Sequence, residues 1–248
     1  MSVVAVLTAA GSGTRLGHAL PKALVPVRDE PLVVHAARRL LAAAHGDRRL
    51  LDSLVVTAPA EHVGAFVDVL GALGVSAGPG APLQVVAGGA TRQASVAAGL
   101  AALGAHLDDE TTVLVHDAAR PFASPALVAR VAAAVAAGHG AVVPGLPVTD
   151  TVKRVGRADG TGAEPVRGTV ERADLRAVQT PQGFRLGVLR RAHDEAARHA
   201  HDESLAATDD AGLVERLGLD VWVVPGDERA AKITTARDLR VAELLGDA

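Results

Sequence analysis

The sequence predicts an α/β fold in which a mostly parallel sheet is flanked by helices. Short apolar runs rich in β-branched residues alternate along the chain with longer stretches rich in alanine and leucine. This alternation is typical of βαβ units, which build parallel sheets. The chain has 248 residues, of which 49% are hydrophobic. It is long enough to bury one sizeable core, so residues 1–248 are expected to form one main domain.

β-Branched runs bounded by glycine, proline or polar residues predict the strands, and alanine-rich runs predict the helices between them. The first strand, 3–7, enters a loop over 8–20 that leads through Pro21 towards the first helix. The elements that follow are a helix near 32–44, a strand at 53–58, a helix near 60–73, a strand at 83–87, a helix at 91–103, a strand at 111–116, a helix at 125–137 and a strand at 141–148.

From 149 to 179 the pattern changes to charged residues, glycines and short alternating pieces. Alternation around 151–155 and 168–171 favours a projecting β-hairpin arm over a disordered loop, and such an arm can reach a neighbouring subunit. Beyond the arm, the sequence predicts helices at 184–199 and 208–217, a strand at 221–224 and a closing helix at 235–245.

Composition excludes several classes of function. The chain has no cysteine, which excludes disulfides, thiolate metal sites and a cysteine nucleophile. A formal charge of −3, three Phe, one Trp and no Tyr disfavour nucleic-acid binding. No apolar run is long enough to span a membrane, and the first residues lack the basic flank of an export signal. A cytoplasmic location is therefore expected.

A loop of small residues over 9–17 follows the first strand, at the carboxyl end where parallel sheets bind ligands. Small side chains let backbone N–H groups approach a phosphate, although a simple turn is the alternative. The dinucleotide fingerprint and the Walker loop both need a small residue where Leu16 stands, so neither template fits. Arg15 and Lys22, one of only three lysines in the chain, are placed to compensate the charge of a triphosphate.

A second glycine pair, Gly88 and Gly89, joins a predicted strand to a predicted helix. Its backbone and the hydroxyl of Ser95 are candidates to border a flat base. The alternative is that Thr91 caps the helix, and the two roles are compatible.

A third candidate lies at the end of a buried strand, where the sequence places Asp117 and Arg120. Either the two form a structural ion pair, or Asp117 contacts a ribose or a magnesium-bound phosphate. Read alone, Arg172 and Lys232 are ordinary surface cations. The histidines at 193, 199 and 201 are explained by a polar helix end rather than by a metal site.

Five segments together resemble one enzyme family in their order and separation. They are Ala9-Ala10-Gly11-Ser12-Gly13-Thr14-Arg15 with Pro21-Lys22, His116-Asp117-Ala118-Ala119-Arg120-Pro121, Thr180-Pro181-Gln182, Thr208-Asp209-Asp210-Ala211 and Lys232-Ile233-Thr234. The resemblance is to the 2-C-methyl-D-erythritol 4-phosphate cytidylyltransferase family of the non-mevalonate isoprenoid pathway, and it covers nearly the whole chain.

The resemblance implies a Rossmann-like nucleotidyltransferase fold and transfer of CMP from CTP to methylerythritol phosphate. It also implies a divalent cation, usually Mg²⁺, and a homodimer joined through the arm. It assigns no protein ligand to the metal, and Asp117 is the one candidate. The roles that it implies are catalysis for Arg15 and Lys22, acceptor positioning for Arg172, Lys232, Thr151 and Thr180, and CTP binding for Ala9, Ala10, Gly11, Gly89, Ser95, Asp117 and Ala118.

This chemistry suits the residues, because attack of a phosphomonoester on the α-phosphorus of CTP needs positioning and charge neutralisation but no protein nucleophile. The sequence departs from the family pattern at Ala90, where an acidic residue is frequent, and at Ala23, where glutamine is frequent. The segment between Thr151 and Arg172 is also longer than usual.

Three other functions compete with this interpretation. A ribitol 5-phosphate cytidylyltransferase resembles the family in its CTP loop and in Thr180-Pro181-Gln182, but Val170-Glu171-Arg172 favours methylerythritol phosphate. A non-catalytic nucleotide sensor is disfavoured by the pair of loop cations. A nicotinamide-dependent oxidoreductase is disfavoured by the failed dinucleotide fingerprint.

Overall fold

The computed structural model describes residues 2–11, 20–73, 82–104, 107–198 and 208–244. Its strands are β1 (Val3–Thr8), β2 (Pro26–Val27), β3 (Glu30–Pro31), β4 (Ala44–His45), β5 (Arg48–Arg49), β6 (Ser53–Ala58), β7 (Leu83–Ala87), β8 (Thr112–Asp117), β9 (Ala141–Pro147), β10 (Val152–Val155), β11 (Val166–Val170), β12 (Arg176–Val178), β13 (Gln182–Arg185) and β14 (Trp222–Pro225). Its α-helices are α1 (Leu32–Leu41), α2 (Val63–Leu70), α3 (Arg92–Ala102), α4 (Pro125–Ala136), α5 (Leu186–Arg198), α6 (Asp210–Arg216) and α7 (Ala236–Leu244).

Eight strands form one mixed sheet in the order β12-β9-β13-β8-β1-β6-β7, with β14 also paired to β9. Strand β1 lies between β6 and β8 and runs parallel to both. The pairs β6–β7 and β9–β14 are parallel as well, whereas β12 and β13 run antiparallel to their neighbours. The predicted α/β class with a mostly parallel core sheet is confirmed.

The central strand β1 shows why the sequence folds this way. Its residues Val3, Ala5 and Leu7 pack with α1, α2 and α4, while Val4 and Val6 pack on the other face with α3, α5 and α6. A strand that is buried on both faces reads as a continuous apolar run. With both faces covered by helices, the carboxyl ends of the parallel strands are left to form a ligand site.

Two of the predicted helices have clearly different ends in the structure. The first helix ends at Leu41 rather than near 44, and the helix predicted near 60–73 is α2 with a 3-10 turn on either side, Ala60–His62 and Gly71–Leu73. No helix in the described part of the chain is long and apolar enough to cross a membrane. That residues 1–248 form one domain stays a prediction.

The sequence patterns did not predict the two-residue strands β2 to β5, the three-residue strand β12, or β13. Residues 184 and 185 were predicted to begin a helix, but they complete β13, and the helix α5 begins only at Leu186. Gly183 is a poor strand former, and Phe184 is the one residue of this short segment with a strong preference for a strand, so the local signal is weak. Strand β13 forms because its backbone pairs with β8, and because Gly183 leaves room for α4: a Cβ there would lie 2.6 Å from Cγ1 of Val131.

The segment 149–179 forms a hairpin, as predicted, rather than a disordered loop. Strands β10 and β11 pair antiparallel in a two-stranded sheet of their own, and β12 then returns to the main sheet. Val155 and Val166 on this arm are 45% and 60% exposed. The contact of the arm with a second subunit stays a prediction.

Candidate active site

A cleft of about 650 Å³ opens at the carboxyl ends of β1, β6, β7 and β8. The loops that leave these four parallel strands form its walls, which is the usual ligand position in such sheets. The lining residues that the sequence predicted for the site are Ala9, Ala10, Gly11, Lys22, Gly89, Ser95, Asp117, Ala118 and Lys232.

The loops after β1 and β7 approach each other closely at the cleft, through small residues. Both loops start in register with the sheet: Ala9 N–H donates to the carbonyl of Thr57 at 2.9 Å, and Gly88 N–H donates to that of Ala58 at 2.7 Å. A Cβ on Gly88 would lie 2.7 Å from the Cβ of Ala10. A larger residue at position 88 would therefore clash with Ala10 and push the two loops apart.

The loop after β7 is held by the start of α3. Thr91 caps this helix, with its Oγ1 accepting from the N–H of Ala94 at 3.0 Å. The buried Ser95 hydroxyl accepts from Gly89 N–H at 3.2 Å and lies 2.9 Å from the carbonyl of Thr91. The capping role of Thr91 is confirmed. Ser95 lines the cleft, and its hydroxyl holds the backbone of Gly89 in place.

The carboxylate of Asp117 forms the charged floor of the cleft. Its Oδ2 accepts from Nζ of Lys232 at 2.7 Å, and its Oδ1 accepts from Nε of Arg92 at 3.1 Å and from Oγ1 of Thr8 at 3.2 Å. Burial alone would raise the pKa of Asp117, but the charges of Arg92 and Lys232 outweigh it and hold this pKa well below its usual range. Asp117 is therefore an anion.

Arg120 is not the ion-pair partner of Asp117 in this structure. Its guanidinium donates to the backbone carbonyls of Ala230 at 2.7 Å and Val178 at 3.3 Å instead. The two residues are close in sequence, but β8 ends at Asp117 and the chain turns, so the side chains diverge. The alternative in which Asp117 and Arg120 form an ion pair is therefore wrong, because the cations paired with Asp117 are Arg92 and Lys232.

Behind Asp117 lies a buried polar chain. The N–H of Asp117 donates to Oγ1 of Thr180 at 3.1 Å, and this hydroxyl donates to Nδ1 of His116 at 2.9 Å. Nε2 of His116 lies 3.1 Å from the carbonyl of Arg120, which can only accept, so Nε2 carries the proton. Burial, opposed in part by Asp117, lowers the pKa of His116 to about 4. Thr180 thus supports Asp117 from below rather than lining the cleft.

The remaining predicted site residues are placed as follows. Lys22 begins the short 3-10 helix Lys22–Leu24, whose Ala23 and Leu24 are buried, and this anchors the lysine at the wall of the cleft. Thr151 and Arg172 are exposed at the arm and do not line this cleft, and the guanidinium of Arg172 donates to the carbonyl of Thr149. Arg15 lies outside the described residues.

Sequence reasoning gave no role to Arg92 or Asp210, which the structure joins to this site. Nη1 of Arg92 lies 2.7 Å from Oδ2 of Asp210, and Nε2 of the buried His193 lies 2.9 Å from Oδ1 of the same carboxylate. One signal was present, because an arginine at the first position of a helix opposes the helix dipole and calls for a nearby anion. His193 is therefore a core residue and not part of a polar helix end; the histidines at 199 and 201 lie outside the described residues.

Among the residues that the structure describes, no group of three or more acidic or histidine side chains is arranged to hold a metal ion. Both oxygens of Asp117 already accept hydrogen bonds. A divalent cation would therefore have to bring most of its ligands with it, as magnesium does when it is bound to phosphate oxygens.

The chain matches the family model of IspD, described as 2-C-methyl-D-erythritol 4-phosphate cytidylyltransferase, over residues 3–246. It is 50% identical over 246 residues to the enzyme of that name from Nocardia farcinica, covering 99% of this chain and 94% of the relative. The enzyme of that name from Saccharopolyspora erythraea is 48% identical over 243 residues, covering 98% of both chains.

Solved structures show the same likeness. The 2-C-methyl-D-erythritol 4-phosphate cytidylyltransferase from Thermus thermophilus superposes with a TM-score of 0.70 at 38% identity, covering 98% of both chains. The 4-diphosphocytidyl-2C-methyl-D-erythritol synthase from Anaerococcus prevotii gives a TM-score of 0.75 at 26% identity, covering 98% of this chain and 95% of that one.

Proposed function

The chain belongs to the 2-C-methyl-D-erythritol 4-phosphate cytidylyltransferase family, and we propose that its cleft binds CTP and transfers CMP to methylerythritol phosphate. The observation that carries this proposal is the cleft itself, in which Lys22 and Lys232 meet two loops of small residues at the ends of parallel strands. CTP and the phosphorylated acceptor are charged metabolites, so we place the reaction in the cytoplasm.

In this reaction an oxygen of the acceptor phosphate attacks the α-phosphorus of CTP. A new P–O bond forms, the bond between the α-phosphorus and the bridging oxygen breaks, and pyrophosphate leaves with that electron pair. All the reacting groups are anionic, so rate acceleration comes from in-line positioning and neutralisation of charge. Cations and backbone N–H groups at the strand ends provide both.

The nucleotide fits the slot between the loops after β1 and β7. The backbone of 9–11 is proposed to bind the triphosphate, and the loop around Gly89, fixed by Ser95, to border the base. The small side chains leave a shallow space suited to a pyrimidine. Asp117 and Ala118 lie beside this slot, where the carboxylate can accept from a ribose hydroxyl.

The cations divide between the two substrates. Lys22, together with Arg15, is proposed to stabilise the charge that develops on the triphosphate, since an ammonium is a compact point charge. Lys232 is proposed to hold the acceptor phosphate; its side chain is 42% exposed at the cleft. Its pairing with Asp117 keeps it at the point where the two substrates must meet.

A magnesium ion is proposed as the cofactor, carried by the triphosphate. When bound, it neutralises charge on the phosphate oxygens during transfer. Among the described residues, two acidic side chains line the cleft: Asp117, and Glu61 on the loop after β6. The protein is thus expected to supply at most one or two ligands, which agrees with how Mg²⁺ binds at nucleotide sites.

Pyrophosphate release from CTP tests the function directly. Release with methylerythritol phosphate but not with ribitol 5-phosphate is expected, because the family assignment and Val170-Glu171-Arg172 favour the first acceptor. A preference for ribitol 5-phosphate would contradict the acceptor assignment. CTP binding without release in the presence of either acceptor would identify a nucleotide sensor.

The arm is proposed to join two copies of the chain and to carry Arg172 and Thr151 to the cleft of the partner. This explains why both residues lie outside the cleft of their own chain. Chains with Arg172→Ala and chains with Lys232→Ala should each be nearly inactive alone. Co-expressed, they should recover about a quarter of the wild-type turnover, because half of the dimers then contain one intact site.

The matched control for this experiment combines Lys22→Ala chains with Lys232→Ala chains. Both changes fall in the same cleft of one chain, so every mixed dimer has two damaged sites and no recovery is expected. Mixed dimers are isolated with two affinity tags, one on each chain. Recovery of turnover in the control dimers would contradict the exchange of arms. So would the absence of recovery in mixed dimers of Arg172→Ala and Lys232→Ala chains.

A further inference from the structure

Arg92 lies between two acidic side chains that come from distant parts of the chain. Its Nε donates to Oδ1 of Asp117 at 3.1 Å, and its Nη1 donates to Oδ2 of Asp210 at 2.7 Å. Asp117 is at the cleft, whereas Asp210 is 1% exposed and is not among the residues that line it. The guanidinium thus connects the cleft floor to a carboxylate in the interior.

The interior carboxylate is itself fixed. Asp210 is the first residue of α6, and Asp209 before it caps this helix by accepting from Gly212 N–H at 3.0 Å. The other oxygen of Asp210 lies 2.9 Å from Nε2 of the buried His193. Asp210 therefore binds Arg92 from the point where its own helix, α6, contacts His193 of α5.

Stability alone does not explain this arrangement. Buried ion pairs often contribute no more than well-packed apolar residues would, because desolvation offsets the attraction between the charges. Arg92 also stands at the first position of α3, where the helix dipole opposes a cation. Its Nη2 is buried and has no hydrogen-bond partner among the described residues.

We propose that Arg92, held by Asp210, is a positioning residue that fixes the orientation of Asp117 for CTP and, through Asp117, the resting position of Lys232. The inference rests on the proposed function, because it assigns to Asp117 a contact with the nucleotide. It adds a second layer, Arg92 and Asp210 with His193 behind them, that does not itself touch the substrates. The guanidinium of Arg92 is a planar fork of N–H donors, so it can bind both carboxylates at fixed angles. The ammonium of a lysine cannot do this.

The test is a double-mutant cycle on the Kd for Mg·CTP, measured by calorimetry. Arg92→Lys, which keeps the charge but loses the fork, and Asp210→Asn, which keeps the shape but loses the charge, should each weaken CTP binding about 10-fold or more. In an Asp117→Asn background the same changes should cost less than about twofold, because no carboxylate is left to orient. Equal factors in both backgrounds would overturn the proposal, as would folded variants with unchanged affinity.

Matched controls use the same replacements elsewhere. Arg185→Lys alters a surface pair with Glu110, and Asp109→Asn alters an acid whose side chain is 77% exposed; neither residue lines the cleft, so CTP affinity should not change. Thermal unfolding of every variant shows whether weaker CTP binding comes from unfolding or from a displaced Asp117 in a folded protein. If Arg92→Lys and Asp210→Asn both fail to fold, the fork serves stability and the proposal is wrong.

Pyrophosphate release by the wild type is measured in the same series. If CTP binds but no pyrophosphate appears with methylerythritol phosphate, the proposed function is wrong. The double-mutant cycle on CTP affinity still tests the positioning role of Arg92 in that case. If the wild type binds no CTP, both inferences fail. The two proposals are thereby distinguished.

Discussion

Lys22→Ala is expected to lower kcat for pyrophosphate release by about 100- to 1,000-fold, the loss typical of removing one group that stabilises transition-state charge. The Kd for CTP should rise by less than about tenfold, because the backbone of 9–11 and the loop around Gly89 still bind the nucleotide. Stopped-flow measurement of release and calorimetry of CTP binding give the two numbers separately. Arg15→Ala should likewise lower kcat far more than it weakens CTP binding.

The physical reason lies in where Lys22 is held. Pro21 and the 3-10 helix Lys22–Leu24 anchor the lysine through the buried Ala23 and Leu24, so its ammonium is presented at the cleft wall. A group fixed in this way needs little reorganisation when charge moves from the α-phosphorus to the leaving pyrophosphate. Lys22→Arg keeps the charge and should retain more turnover than Lys22→Ala.

Arg48→Ala is the control, since Arg48 is an exposed cation on the small β4–β5 hairpin and does not line the cleft. Its kcat should match that of the wild type. If Lys22→Ala instead raised the Kd for CTP as much as it lowered kcat/KM, Lys22 would be a ground-state binding residue, and its catalytic role would be wrong.

The second large effect concerns stability at acid pH. His116 is buried and neutral, and its pKa is lowered to about 4 by burial, whereas an unfolded histidine titrates near 6.5. As the pH falls below about 6.5, His116 binds a proton in the unfolded chain but not in the native state. The free energy of unfolding therefore decreases. The loss attributable to His116 is about 3 kcal/mol between that pH and about 4.

Urea unfolding between pH 7 and pH 4 measures this loss. In His116→Gln the amide can still donate to the carbonyl of Arg120, but it does not titrate, so the slope of stability against pH in this window should flatten. His45→Gln changes an exposed histidine on the β4–β5 hairpin and should leave the slope unaltered. Asp117 and Asp210, whose pKa values are also lowered, add their losses below about pH 5, equally in the wild type and in His116→Gln.

An unchanged slope in His116→Gln would mean that the imidazole accepts a proton in the native state. Such a proton would require Nδ1 to donate to Thr180, the hydroxyl that now donates to Nδ1 and accepts from the N–H of Asp117. Only the link between Thr180 and His116 would then reverse, because the N–H of Asp117 can only donate. The same experiment therefore tests the orientation of the chain that supports Asp117.

Much of the site follows from local sequence. Periodicity located the parallel strands, and parallel strands bring their carboxyl ends to one edge, so the loops that contain Ala9, Gly89 and Asp117 had to meet. Lys232 needed the family resemblance, because an isolated lysine after a loop carries no signal of its own. Thr180 was assigned to the acceptor by the same resemblance, and the structure adds that it supports Asp117 from beneath.

The sequence by itself determined the fold class, the cleft-forming loops and the hairpin form of the arm, because each depends on periodicity or on glycine and charge within a short window. Only the tertiary structure decided β13, whose pairing overrides its weak local preference, and the partners of Asp117. The fork of Arg92 joins two carboxylates that lie far apart in the sequence, Asp117 and Asp210. Such a contact depends on how α3 and α6 pack over the sheet. The position of Arg92 at the start of a helix signals that an anion is needed, but no pattern in nearby residues identifies which carboxylates supply it.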